Sequence, residues 1–121
     1  MIQYPRLNID KKKIKSNTRT IVDYAVKQNI KITGVTKCCC GDPEVGSAML
    51  AGGAVSLADS RLKNLKRLRK AGLDCELMLL RTPMLSSGKE VVEYSEDAES
   101  ISDDSKPTAD SRKPDFRTSC I

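Results

Sequence analysis

The sequence predicts an α/β chain built on a parallel sheet, on three observations. Short apolar, β-branched segments alternate with longer segments of helical periodicity, the pattern of βαβ units. Each apolar segment closes on a polar residue, and Lys37, Asp59 and Arg81 recur at intervals of 22 residues. Beyond Tyr94 the alternation stops and the composition turns to Ser, Asp and Pro.

The elements run in order along the chain. A first strand is expected at "PRLNID" (residues 5–10), and a helix after it with Ser16 or Asn17 as N-cap. Ile21, Val22, Ala25 and Val26 share one face of that helix, and Asn29 suits a left-handed stop. "KITGVTK" is short, β-branched and bounded by turns, so it reads as a buried strand. In "GDPEVGSAMLAGG", Asp42 suits the N-cap, Pro43 the first helical position and Glu44 the positive end of the helix dipole, with Gly52 and Gly53 as the stop. "AVSLAD" is the next strand. "SRLKNLKRLRKAG" is a helix capped by Ser60, with Leu62, Leu65 and Leu68 inward and Gly72 ending it. "CELMLLR" is a further strand, and helix resumes near Val91 and Val92. Residues 95–121 hold too few aliphatic side chains to offset the entropy of ordering them and are expected to form a disordered polar tail beside a folded unit of residues 1–94.

The chain has 121 residues and a net charge of +5, distributed unevenly. Residues 1–95 carry 17 Lys and Arg against 9 Asp and Glu; residues 96–121 carry 4 against 7. The basic clusters at Lys11–Lys15 and Arg61–Lys70 read as solvated helix faces. No aromatic side chains interleave with them to stack on bases, so no nucleic-acid partner is expected. No apolar run approaches the roughly 18–20 residues of a membrane span, and the charged N-terminus lacks the apolar stretch of a secretory signal. A cytoplasmic location without a membrane partner is the resulting expectation.

"ITGVTKCCCGDPEV" (residues 32–45) concentrates the chemistry. Cys38, Cys39 and Cys40 on an extended strand would alternate in direction, whereas zinc sites space paired cysteines a few residues apart and use four ligands. The chain has no His, and Cys75 and Cys120 are isolated, so no metal site is expected. A buried small hydrophobe is the ordinary role of a free Cys, and a redox role lacks a Cys-x-x-Cys pair. Lys37, ending an otherwise apolar strand, is open to two readings. It is a lysine that snorkels from a strand end, or a partly desolvated amine that condenses with an aldehyde, as the lysines that hold pyridoxal phosphate (PLP) do. In parallel α/β folds the C-terminal ends of the strands form the ligand face, where Lys37, Asp59 and Arg81 would converge.

Three stretches, "YPRLNIDKKKIKSNTRTIV", "GVTKCCCGDPEVGSAMLAGG" and "LADSRLKNLKRLRKAGLDCELMLLRTPML", resemble the N-terminal barrel portion of the PLP-dependent alanine racemase superfamily, closest to its ornithine-racemase-like branch. The likeness runs over residues 4–94. It implies a partial TIM-type barrel of about three barrel strands, PLP as cofactor, Lys37 as the lysine that carries it, a free amino acid as substrate and a possible homodimer; Arg81 as a ligand to a cofactor or substrate anion is an expectation from its position at a strand end alone. A complete barrel needs about 200 residues or more, and the tail after Tyr94 matches nothing in that family. The expectation is therefore a portion of a racemase, inactive alone, with a frameshift as one origin of its tail. Two alternatives belong to other classes: a non-catalytic PLP-binding or interaction protein, and a thiol-based metal or redox protein.

Overall fold

The structure, a computed structural model, describes residues 4–81 continuously, together with residues 86, 88–89, 93, 97–98 and 117–120. Three helices, α1 (Lys11–Val26), α2 (Pro43–Gly52) and α3 (Leu62–Lys70), alternate with strands β1 (Ile30–Val35), β2 (Ser56–Asp59) and β3 (Glu76–Leu79). Two short strands, β4 (Asp97–Ala98) and β5 (Arg117–Cys120), complete a parallel sheet of order β4-β3-β2-β1-β5. The α/β class and the three barrel-type strands are as the sequence predicts.

Register explains how one sheet carries two different faces. Gly34 and Leu57 are partners, as are Leu57 and Leu77. This row points at the helices: an added Cβ on Gly34 would stand 2.6 Å from Met49 Sδ, so glycine is what lets α2 approach β1. Leu57, Leu77 and Leu79 join Leu65 and Leu68 of α3 in the core cluster, with Met49, Leu50, Leu62, Leu73 and Cys75 packed around it. Leu57, Leu65, Leu68 and Leu77 are completely buried. Each contributes about 1.5–3 kcal/mol relative to exposure. The alternate row carries Thr33, Ser56 and Ala58, small or polar yet buried, with the Thr33 and Ser56 hydroxyls 2.7 Å apart.

The helix ends correct the sequence reading in two places. Residues 5–10 form no strand; they are exposed, and the chain enters α1 through Asp10, whose carboxylate accepts from the N–H groups of Lys12 and Lys13. Asp10, not Ser16 or Asn17, is the N-cap, because a carboxylate there satisfies two orphan amides at the earliest possible position. The inward face of α1 runs through the buried Thr18 and Ala25 with Ile14 and Val22 half-buried beside them, and Ile21 and Val26 are exposed. Likewise α3 begins after Arg61 with no side-chain N-cap, so Ser60 does not cap it. α2 starts as expected: Asp42 accepts from Glu44 N at 2.9 Å, with Pro43 opening the helix. Asn29 takes the left-handed conformation foreseen for it, at φ 57°.

Six residues of the 95–121 segment are described, and they pair with the sheet. β5 pairs with β1 from Ile30 to Thr33, and β4 pairs with Met78 and Leu79. Edges of a parallel sheet offer unpaired backbone N–H and C=O groups, and an extended segment can take them whatever its side chains. The expected helix near Val91 and Val92 and the remainder of 95–121 lie outside the described residues.

Candidate functional site

β1 continues one residue past its last ladder position: Thr36 N–H donates to Ala58 O at 2.9 Å. The chain then turns sharply. Thr36 O accepts from Cys39 N at 3.2 Å and Gly41 N at 3.0 Å, and Lys37–Cys39 form a single 3₁₀ turn. The three cysteines therefore lie on a turn and not on a strand, which removes the expected alternation. Cys38 and Cys40 are exposed, and Cys39 is half-buried with its thiol donating to Thr36 O at 3.2 Å. Burial is the main cause that pushes the Cys39 thiol pKa up. Among the described residues, no cluster of three or more Cys, Asp or Glu is placed to hold a metal ion.

The turn is fastened at three points, one at the end of β2 and two on α3. Thr36 Oγ1 donates to Asp59 Oδ2 at 2.8 Å. Arg67 Nη1 donates to Cys40 O at 3.2 Å. Gly41, at φ +66°, packs so closely that a Cβ would meet Asn64 Cβ at 2.6 Å. The other oxygen of Asp59 accepts from Arg61 N at 2.9 Å and Asn64 Nδ2 at 3.0 Å. Asp59 is fully buried, and every buried polar side-chain atom among the described residues has a partner.

Lys37, Asp59 and Arg81 do stand at the same edge, since β1, β2 and β3 are adjacent and parallel. Their roles diverge. Asp59 is turned inward and holds the turn, so it is not a ligand-facing group. Lys37 and Arg81 are exposed. The partly desolvated Lys37 of the sequence reading is corrected accordingly: the residue comes after Thr36 and out of the sheet, and the described residues give its amine no ion-pair partner. Sequence reasoning passed over Thr36, Gly41 and Asn64. Asn64 had a signal, because it precedes Leu68 by four residues and so shares the inward face of α3.

The fold and this edge define a βαβαβ portion of a barrel that presents a lysine at the C-terminal end of its first strand. The chain belongs to the alanine racemase N-terminal domain family, which it matches over residues 9–106. It is 42% identical over 91 residues to a lysine racemase of Thermotoga maritima, covering 75% of this chain and 26% of that protein. It is 33% identical over 93 residues to an ornithine racemase of Acetoanaerobium sticklandii, covering 77% and 26%. Among solved structures, alanine racemase from E. faecalis superposes with a TM-score of 0.64 at 21% identity, over 71% of this chain and 24% of that one. Alanine racemase from Corynebacterium glutamicum gives 0.60 at 23% identity, over 72% and 26%. These likenesses show the fold to be that of the barrel-type N-terminal portion of alanine racemases. The chain spans about a quarter of the length of the curated relatives it matches.

Proposed function

We propose that this chain carries the cofactor-bearing corner of a PLP-dependent amino acid racemase, with Lys37 as the lysine to which PLP attaches. One observation carries the reading: an exposed amine stands at the C-terminal end of β1, on a turn pinned to α3, inside the family-matched span. The donor set fits an aldehyde, which needs an accessible amine free of a carboxylate partner, and Arg81 at the neighbouring strand end is the cation proposed to meet an anionic group. PLP, when bound, draws electrons away from the α-carbon of an amino acid and so acidifies its proton. Lys37 Nζ would take or return that proton on one face. Thr36, Asp59 and Asn64 would keep the turn in place while it does so. A free diamino acid is the proposed substrate class, on the strength of the lysine and ornithine racemases among the relatives. A cytoplasmic site of action and a homodimeric assembly are further parts of the proposal.

Inversion also requires proton delivery to the opposite face, and we assign no second base among the described residues. We therefore propose that this chain has no racemase turnover by itself. The test is to incubate it with PLP, reduce with borohydride and map the modified peptides. Label concentrated at Lys37 and lost in Lys37→Ala supports the reading; label spread evenly over surface lysines and unchanged in that variant overturns it. A coupled inversion assay on lysine and ornithine is expected to show none, and turnover abolished by Lys37→Ala would show a complete site.

A further inference from the structure

The β1–β3 unit has two open edges, and strands from beyond Tyr94 lie along both. β4 pairs with Met78 and Leu79, and β5 pairs with Ile30 to Thr33. The β1 edge is the one that requires cover. Ile32 O accepts from Val55 N, and Thr36 N–H donates to Ala58 O, both at 2.9 Å, so these residues turn their backbone groups toward β2. Backbone groups alternate in direction along a parallel strand, so Lys31 and Thr33 turn theirs to the outer edge. Thr33 is completely buried. Its N–H and C=O are therefore cut off from water and need a backbone partner. β5 supplies one: Ser119 is the register partner of Ile32, and by the same alternation its N–H and C=O face β1 between Lys31 and Thr33. β1 has little protection of its own, since "IKITGV" holds one charge and no proline.

We propose that β5 is a built-in cap on the β1 edge, and that the occupant it keeps out is the β1 edge of a second copy of this chain. Two copies related by a two-fold axis present the same strand to each other in antiparallel sense. With the axis at Thr33, Lys31 stands opposite Val35 of the other copy, so no like charges meet. The cap prevails in the intact chain because tethering gives it an effective concentration on the order of millimolar. Charge favours it as well: residues 96–121 carry 7 Asp and Glu against 4 Lys and Arg, whereas residues 1–95 carry 9 against 17. This inference depends neither on Lys37 nor on the proposed homodimer.

The test uses two full-length proline variants. Ser119→Pro removes an N–H that faces β1; Thr118→Pro removes one that faces away, where an edge strand tolerates proline. Amide hydrogen exchange is followed at Lys31 and Thr33, with Leu57 and Leu77 as reporters of the inner sheet, and association is measured by sedimentation. In the unaltered chain and in Thr118→Pro, Lys31 and Thr33 are expected to exchange slowly at every protein concentration. In Ser119→Pro they should exchange about tenfold faster in dilute solution. That exchange should slow again as the protein is concentrated, in step with a species heavier than the unaltered chain forms. Leu57 and Leu77 should stay slow throughout. Fast exchange at Thr33 in the unaltered chain overturns the proposal, as do equal effects of the two prolines. So does exchange in Ser119→Pro that ignores concentration, or loss of protection at Leu57 and Leu77, which would make β5 part of the fold and not a cap.

Discussion

Lys37 and Asp59 occupy equivalent places, each just at or past the C-terminal end of a parallel strand, and the structure treats them oppositely. Lys37 is exposed; Asp59 is fully buried. The difference comes from the path the chain takes on leaving each strand. After β1 a tight turn lifts the chain out of the sheet before α2 begins. After β2 the chain enters α3 almost at once, and the free amide of Arg61 is captured by the Asp59 carboxylate. The same carboxylate reaches back to Thr36, immediately before Lys37. One strand end thus supplies an accessible amine, and its neighbour supplies the anchor that positions it.

The largest expected effect breaks the anchor. Asp59→Ala removes the acceptor of the Asn64 amide and of the Arg61 N–H and leaves the buried Thr36 hydroxyl only its longer bond to Ala58 O, and we expect a loss of about 3 kcal/mol, read from denaturant midpoints. An unchanged midpoint would mean that the turn is not held by this carboxylate. Next in size is Gly41→Ala. The left-handed backbone and the close approach to Asn64 together predict a loss of about 2 kcal/mol, measured in the same way. Lys37→Ala provides the opposite pole. Its side chain is exposed and unpaired among the described residues, so stability should move by no more than about 0.5 kcal/mol while PLP labelling disappears. Comparable destabilisation by Lys37→Ala and Asp59→Ala would erase the distinction between the two strand ends.

The smallest effect concerns the cysteines within the turn. Burial raises the Cys39 pKa, so the folded protein holds that proton more firmly than the unfolded chain. Stability from this group is fully present below the unfolded thiol pKa and is lost as pH rises through the raised, folded value. A shallow alkaline decline in stability is therefore expected, and Cys39→Ser should flatten it. Iodoacetamide should modify Cys38 before Cys39, because the former is exposed and the latter donates its thiol to Thr36 O. Faster alkylation at Cys39 would contradict the packing of the turn.

Much of the local structure was legible in the chain. Periodicity in "KITGVTK", "AVSLAD" and "CELMLLR" located three strands, because buried parallel strands are short apolar runs with turn residues around them. Asp42-Pro43-Glu44 located the start of α2, because helix N-termini have a fixed chemistry. Lys37 was legible as a candidate from its place at a strand end. The start of α1 was not, because Asp10 and Ser16 are both competent caps, and local chemistry does not rank two adequate positions.

Tertiary structure decided the remainder. Which polar strand end turns inward depends on the position of Thr36 and Asn64 around Asp59, and those residues come from three separate segments of the chain. The exposure of Lys37 depends on a 3₁₀ turn tied to the end of β2 and to α3 through Thr36, Cys40 and Gly41. The pairing of β5 with β1 depends on an open sheet edge, a property of the assembled sheet that no stretch of sequence possesses alone. Sequence by itself determined where β1, β2, β3 and the start of α2 form, since those arise from short-range periodicity and capping. Contacts between segments distant in the chain determined which side chains are left free to react.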